Sequence, residues 1–201
     1  MLNSIKGHMP NIPSIPSIPS MPKGLPSIPT KADFMGPVDR DKCTFCRIFD
    51  GKESNPIIFQ DEEIVVFEDI KPATKHHFLV VTNEHIRDAK AMVSSQIRIL
   101  DRMIEVANQV LAEKLNQDAG IGDPTQVQRL LGFHWPPFHM VNHLHLHVLA
   151  PADQMGFFAR NMFRPNSMWF VSPDYVRDRL MQMKSTEEAG AGNAINSQPD
   201  Q

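Results

Sequence analysis

Three histidines alternate with aliphatic residues in the second half of the chain, and this alternation constrains the fold more than any other feature. Residues 143 to 149 read His-Leu-His-Leu-His-Val-Leu. Successive side chains of a β-strand point to opposite faces of the sheet. A strand here therefore places the imidazoles of His143, His145 and His147 on one surface and the aliphatic side chains in the core on the other side.

Periodicity predicts further elements around this strand. Short segments rich in β-branched and aromatic residues predict strands, and together with the histidine segment these are 57–60, 64–69, 78–82, 127–133 and 144–150. Apolar residues recur every three or four positions from Ile97 to Leu115, which predicts one long amphipathic helix. Residues 173–183 predict a short closing helix. We therefore expect an α+β fold in which an antiparallel sheet of about five strands is covered by one long helix.

The two ends of the chain differ in composition from its middle. Residues 1–38 carry a three-residue proline repeat, which removes amide donors and disfavours helix and sheet. This segment is either a spacer or a docking ligand for a proline-binding partner. Residues 185–201 contain almost no large apolar side chain and cannot offset the entropy of ordering. We predict disordered tails at both ends and one folded domain over residues 39–184.

Charge and cysteine content exclude several classes of protein. The formal net charge is −3, so nucleic acid and anionic membranes are unlikely partners, and a phosphate ligand needs a local site. The apolar runs 64–67 and 78–81 are far shorter than the roughly 20 residues that span a bilayer. Cys43 and Cys46 make a poor disulfide framework, which favours a reducing compartment, the cytoplasm and also the nucleus.

Three imidazoles on one surface suggest chemistry at phosphorus. Imidazole titrates near pH 6.5, so one ring can be a neutral nucleophile while a neighbour donates a proton or a hydrogen bond. Attack on a phosphoryl centre needs such a nucleophile, donors for the anionic oxygens and a proton for the leaving group. An alternative interpretation is that the His-x-His pattern provides ligands for a catalytic metal.

The histidine segment resembles the His-φ-His-φ-His-φ-φ signature of the histidine-triad family, and within it the Hint branch of purine nucleotide-binding hydrolases. Resemblance extends over most of the predicted domain, through Cys43–Ile48, Phe67–Ala73, His77–Val80, His85–Ile86, Gly132–Phe138 and His143–Pro151. The resemblance implies a hydrolase of nucleoside 5′-phosphoramidates, and by extension of acyl-AMP, that forms a covalent AMP–histidine intermediate without a catalytic metal. Hint proteins are usually homodimers, so we expect a dimer.

The resemblance also implies a role for each site residue. His145 corresponds to the nucleophile, His147 and His77 lie beside the phosphate, and His143 orients the cluster. Asp69 occupies the position that binds the ribose hydroxyls, a role that suits a carboxylate because it accepts two hydrogen bonds. An apolar slot for the purine is implied for Phe45, Ile48, Phe67 and Ile70.

Cys43 and Cys46 form a CxxC pair, which is a common half of a tetrahedral zinc site. Some histidine-triad proteins complete such a site with residues that correspond here to His85 and His143. Four protein ligands leave no open position for water, so this zinc would be structural. The alternative is that both cysteines are small buried core residues.

The sequence departs from the family beside the predicted phosphate site. Better-known Hint members carry a serine three residues before the first triad histidine, where this chain has Met140, and an asparagine in the preceding loop, which here spans Gly132 to His139. His134 and His139 in that loop could substitute, although the prolines between them also explain it as a rigid turn. Two other functions therefore stay open: a nucleotide-binding module with vestigial activity, and aprataxin-like removal of AMP from DNA ends.

Overall fold

Strand β5, which carries His145 and His147, lies inside an antiparallel sheet of six strands in the order β1-β2-β3-β5-β4-β6. The structure is a computed structural model that describes residues 39–195. The strands are β1 (Ile57–Gln60), β2 (Ile64–Glu68), β3 (His76–Thr82), β4 (Leu130–His134), β5 (His145–Ala150) and β6 (Phe170–Val171). The helices are α1 (Thr44–Phe49), α2 (Ile97–Gln117), α3 (Phe157–Met162) and α4 (Pro173–Ile195).

The two faces of the sheet are covered by different helices. One face carries Leu144, Leu146 and Val148, which pack in the main core against side chains of α2 and α4. The other face carries Val65, Phe67, Leu79 and Val81, which pack against α1. This separation follows from the two-residue period of the strands, because it sends the leucines of the histidine segment one way and its imidazoles the other.

Helix α2 forms because its apolar residues repeat at the helical period. Leu100, Met103, Ala107 and Leu111 are all fully buried along one side of the helix. Each such buried aliphatic side chain contributes about 1.5–3 kcal/mol relative to exposure. The helix ends at Gln117, and the backbone turns to the extended region at Asp118. The predicted long covering helix and the α+β class are confirmed.

Several short elements escaped the sequence prediction. Strand β6 has two residues, and α1 and α3 have six each, which is too short for a hydrophobic period to be read. The sheet therefore has six strands where about five were expected. All pairs along the sheet are antiparallel, as predicted.

The closing helix is longer than the sequence indicated. It begins at Pro173 as predicted, where Ser172 Oγ accepts a hydrogen bond from the Tyr175 amide at 3.2 Å, but it continues beyond Lys184 to Ile195. Adding a residue to an existing helix costs little because nucleation is already complete, and Ser94 donates to Glu187 in the added part. The predicted C-terminal tail thus overlaps this helix at 185–195, and the predicted tail at 1–38 lies outside the described residues.

No helix within residues 39–195 is both long and apolar enough to cross a membrane.

Candidate active site

Strand register brings the candidate histidines together on the face opposite α2. His145 pairs with Val81 of β3, and His147 pairs with Leu79, so His77 lies diagonally across from His147 on the same face. Strand β4 pairs with the other edge of β5, and there Gly132 lies opposite His147. His134 follows two residues later and shares that face, with its ring centroid 4.8 Å from that of His147. A sequence pattern within one strand could not reveal this assembly.

The hydrogen bond that His145 makes fixes which of its ring nitrogens is available. Its Nδ1 donates to the backbone carbonyl of His143 at 2.6 Å. A neutral ring protonated at Nδ1 carries its lone pair on Nε2. Burial lowers the pKa of His145 to about 4, so the ring is neutral at pH 7. His145 therefore presents an unprotonated Nε2, as a nucleophile requires.

His77 and His147 form a relay with a defined direction. The amide of Ala73 donates to His77 Nδ1 at 3.1 Å, so the proton of His77 is on Nε2. His77 Nε2 lies 3.0 Å from His147 Nδ1 and donates to it. The proton of His147 is then on Nε2, a buried atom with no hydrogen-bond partner among the described residues. His147 thus presents a desolvated donor, and His77 contributes to the site by holding that ring.

The remaining imidazoles of this face are also held neutral. Burial lowers the pKa of His147 well below its ordinary value, and the neighbouring His145, His134 and His77 lower it further. The pKa values of His77 and His134 are lowered by burial as well. A cluster of neutral rings keeps the nucleophile free of a competing proton at neutral pH.

Asp69 and an apolar cluster flank the histidines. Asp69 Oδ1 accepts from the Lys71 amide at 2.8 Å, and its Oδ2 lies 3.6 Å from His77 Nε2. Phe45 and Phe67 pack with ring centroids 5.4 Å apart, and the Phe45 ring lies 5.3 Å from that of His145. The predicted slot residues Phe45, Ile48 and Phe67 thus form one buried cluster. Ile70 differs, because it is 86% exposed.

The cysteines converge with two histidines at the other end of the site. Cys43 Sγ lies 3.3 Å from His143 Nδ1, Cys46 Sγ lies 3.5 Å from the same nitrogen, and Cys46 Sγ lies 3.3 Å from His85 Nδ1. One ligand atom from each of the four residues lies within 4.8 Å of the others. His143 Nε2 is 2.7 Å from the Thr82 carbonyl and donates to it, which leaves Nδ1 unprotonated toward the sulfurs. Burial and the neighbouring Cys43 raise the pKa of Cys46 to about 12.

His143 therefore serves the two halves of the site with different atoms. Its ring belongs to the cysteine cluster, whereas its carbonyl orients His145. A second group that could hold a metal ion contains Asp69, His77 and His147. Within residues 39–195, the first group includes His143 and the second includes His147, so neither contains two histidines of the alternating segment. The catalytic-metal interpretation required these histidines to bind one ion together.

Comparison with known proteins identifies the family. Residues 42–163 match the family described as scavenger mRNA decapping enzyme C-term binding. The chain is 40% identical to adenosine 5′-monophosphoramidase HINT3 of Xenopus tropicalis over 139 residues, which are 69% of this chain and 86% of that protein. The chain belongs to the histidine-triad family. It is 39% identical to HINT3 of Mus musculus, over 69% of this chain and 81% of that one. A HIT family hydrolase from Clostridium thermocellum is 30% identical, with a TM-score of 0.48 over 58% of this chain and 96% of that one.

Two further histidines, His134 at the end of β4 and His139 in the loop after it, lie at this histidine-triad site. His134 Nδ1 lies 3.3 Å from the Trp169 carbonyl, and its ring packs against Phe163 and Phe170. His139 lines a small cavity together with His134 and His145. The signal for His134 was available, because it stands two residues after Gly132 and so shares its face. Met140, which stands where better-known Hint members carry a serine, is 90% exposed.

Proposed function

We propose that the protein hydrolyses nucleoside 5′-phosphoramidates, in which AMP is joined to an amine, and also acyl-AMP, through an AMP–His145 intermediate. One observation carries the proposal: His145 Nδ1 is held by the His143 carbonyl at 2.6 Å, which leaves Nε2 free to attack. Adjacent to it, the unpartnered Nε2 donor of His147 suits a phosphoryl oxygen. Similarity to two proteins named adenosine 5′-monophosphoramidase supports the substrate class.

The reaction then proceeds in two displacements. His145 Nε2 forms a bond to phosphorus as the phosphorus–nitrogen bond to the amine breaks, and the amine leaves with an added proton. Water next attacks phosphorus, the bond to His145 breaks, and AMP is released. His147 donates to the phosphoryl oxygens in both steps, and His77 keeps that donor on Nε2.

The nucleotide is bound by groups around the histidines. Asp69 Oδ2 accepts from ribose hydroxyls, while Oδ1 stays bonded to the Lys71 amide. The purine packs on the cluster of Phe45, Ile48 and Phe67, with the exposed Ile70 at its edge. These contacts fix the AMP part and leave the amine part unspecified.

Intact-protein and peptide mass spectrometry test the covalent step. After brief incubation with an AMP-amine substrate and without an acid quench, we expect an AMP adduct on the peptide that contains His145. His145→Ala should lose both adduct and turnover. The matched control is His76→Ala, since His76 points to the other face and pairs with Asp118 at 2.8 Å; it should keep the adduct. An adduct on His145→Ala, or fragment ions that place the adduct on His134 or His139 in place of His145, would refute the assignment.

We further propose a structural zinc ion held by Cys43, Cys46, His85 and His143. Sulfur–nitrogen separations of 3.3 to 3.5 Å suit four ligands of one tetrahedral ion, whose bond lengths of about 2.3 Å to sulfur and about 2.0 Å to nitrogen give edges of roughly 3.5 Å. The His143–Thr82 bond provides the tautomer and the outer-shell support that such a ligand needs. A zinc ion held there would neutralise the thiolates and, through His143, would support His145; we propose that the reaction itself needs no cofactor.

Elemental analysis tests the zinc proposal. We expect about one zinc per chain, lost in Cys46→Ser together with a lower melting temperature. Met155→Ala is a matched control, because Met155 is a buried sulfur-containing residue of another cluster; it should lower the melting temperature without loss of zinc. Wild-type protein without zinc would leave the cysteines as core residues.

Assembly and location remain proposals as well. We propose a homodimer, since the edge strand β1 exposes Ile57 and α3 exposes Phe157 and Phe158. Light scattering should give twice the chain mass. We also propose a cytoplasmic and nuclear location, where Cys43 and Cys46, which form no disulfide, stay reduced; fluorescence microscopy of the tagged full chain tests this.

A further inference from the structure

His139 lies in the loop between β4 and β5, and its two ring nitrogens have different surroundings. Its Nε2 is 2.7 Å from Asn142 Oδ1, so Nε2 carries a proton and donates it. Its Nδ1 is buried and has no hydrogen-bond partner among residues 39–195. The same ring lines the cavity that His134 and His145 also line. A buried polar atom at the wall of a small cavity that the proposed nucleophile also lines calls for a partner.

Electrostatics agree with this proximity. After burial, the charge of His139 is among the causes that lower the pKa of His145 and of His134. A charge on the His139 ring is therefore felt at the nucleophile.

We propose that His139 is a further catalytic residue, whose Nδ1 gives a proton to the leaving amine and takes one back from the attacking water. This inference rests on the proposed function.

The proton transfers balance over one turnover. In its protonated form His139 donates from Nε2 to Asn142 and from Nδ1 to the departing nitrogen. The phosphorus–nitrogen bond breaks as the bond to His145 Nε2 forms, and His139 becomes neutral. In the second step water forms a bond to phosphorus, the bond to His145 breaks, and the water proton moves to Nδ1. Imidazole is the side chain that performs both transfers near neutral pH.

Other titratable groups at the cavity and beside it are committed elsewhere. Of those that line it, Asp88 accepts from the Arg87 guanidinium and the Ala91 amide, and the His143 ring donates to the Thr82 carbonyl and faces the cysteines. His147 Nδ1 accepts from His77, so its free Nε2 is a donor for oxygen. His134 Nδ1 is bonded to the Trp169 carbonyl, and the ring is held between Phe163 and Phe170. Met140, the neighbour of His139, is exposed and carries no transferable proton. His139 is thus the residue suited to serve the leaving group.

Two substrates that share AMP but differ in the leaving group test this role. An AMP alkylamide needs a proton on its leaving nitrogen, whereas the p-nitrophenyl ester of AMP releases a stable anion without one. We expect His139→Ala to lower kcat/KM for the alkylamide on the order of a hundredfold or more, with little change for the ester. Because kcat/KM reports the first displacement, the second step is followed separately: His139→Ala with the ester should release a burst of nitrophenolate and then turn over slowly.

Matched variants separate chemistry from packing. Met140→Ala alters the adjacent exposed residue and should leave both substrates at wild-type rates. Asn142→Ala removes the acceptor that orients His139. It should lower kcat/KM for the alkylamide more than for the ester, as His139→Ala does, but by a smaller factor. Retained ester cleavage by His139→Ala also shows that the variant is folded.

The possible failures are distinguishable. An equal loss on both substrates, or no loss on the alkylamide, would overturn the role of His139. A wild-type chain that cleaves neither substrate would overturn the proposed function itself.

Discussion

Substitution of Gly132 by alanine probes how tightly the site is packed. Gly132 pairs with His147 across β4 and β5. A Cβ at this position would lie 2.3 Å from Phe170 Cε1, 2.5 Å from Phe170 Cζ and 2.8 Å from the Val171 carbonyl oxygen. All three separations are well below van der Waals contact, so something must move.

The neighbours of Gly132 have little room to yield. Phe170 is fully buried, and its ring lies 5.2 Å from that of His134 and 5.4 Å from that of Phe163. The Val171 oxygen belongs to the backbone of β6, which pairs with β4. Overpacking of this kind costs about 1–3 kcal/mol, or roughly 2–4 °C in melting temperature for each kcal/mol at this chain length. The displaced ring packs on His134, whose ring centroid lies 4.8 Å from that of His147. A shift of about 1 Å passed on to His147 would cost up to about a hundredfold in turnover.

The assay compares Gly132→Ala with Gly122→Ala in thermal unfolding and in turnover of an AMP-amine substrate. A Cβ at Gly122 meets nothing within 4 Å, and its φ is not in the left-handed region, so that variant should be neutral or about 0.4–1 kcal/mol more stable. If Gly132→Ala matched Gly122→Ala in both measurements, the packing argument would be refuted.

Other predictions concern the fold as a whole. Burial lowers the pKa of His147 and His134, so the unfolded chain binds protons that the folded chain does not, and the free energy of unfolding should fall as pH drops below about 6.5. Urea titrations at pH 7.5 and 5.5 measure this fall. If the difference in free energy of unfolding between the two pH values were the same in His147→Gln as in the wild type, the prediction would be contradicted. Ser172→Ala removes the acceptor for the Tyr175 amide at the start of α4 and should lower the free energy of unfolding in urea by about 1 kcal/mol. Ser185→Ala, within the exposed part of the helix, should lower it little. Equal losses of stability in the two variants would refute the capping role of Ser172. Deletion of residues 1–38, which the composition predicts to add no core, should leave melting temperature and turnover unchanged, and a large loss in either would contradict that prediction.

The sequence by itself determined the features that depend on local direction. Side chains two apart in a strand share a face, so the alternation at 143–149 predicted both the buried leucines and the surface of imidazoles before any fold was known. The period of α2 likewise depends only on neighbouring residues, and the family signature is itself a local pattern. These predictions needed no knowledge of which strands pair.

The tertiary structure decided the features that depend on register between distant segments. Which nitrogen of His147 is a donor follows from His77, which lies on a different strand, and the ring of His143 reaches the cysteines only because α1 packs on that face. The unpartnered Nδ1 of His139 depends on how its loop places the ring at the cavity that His145 also lines. A hydrogen bond joins two atoms whose positions are set by all the packing between them, so tautomers and partners were beyond the reach of a pattern read along the chain.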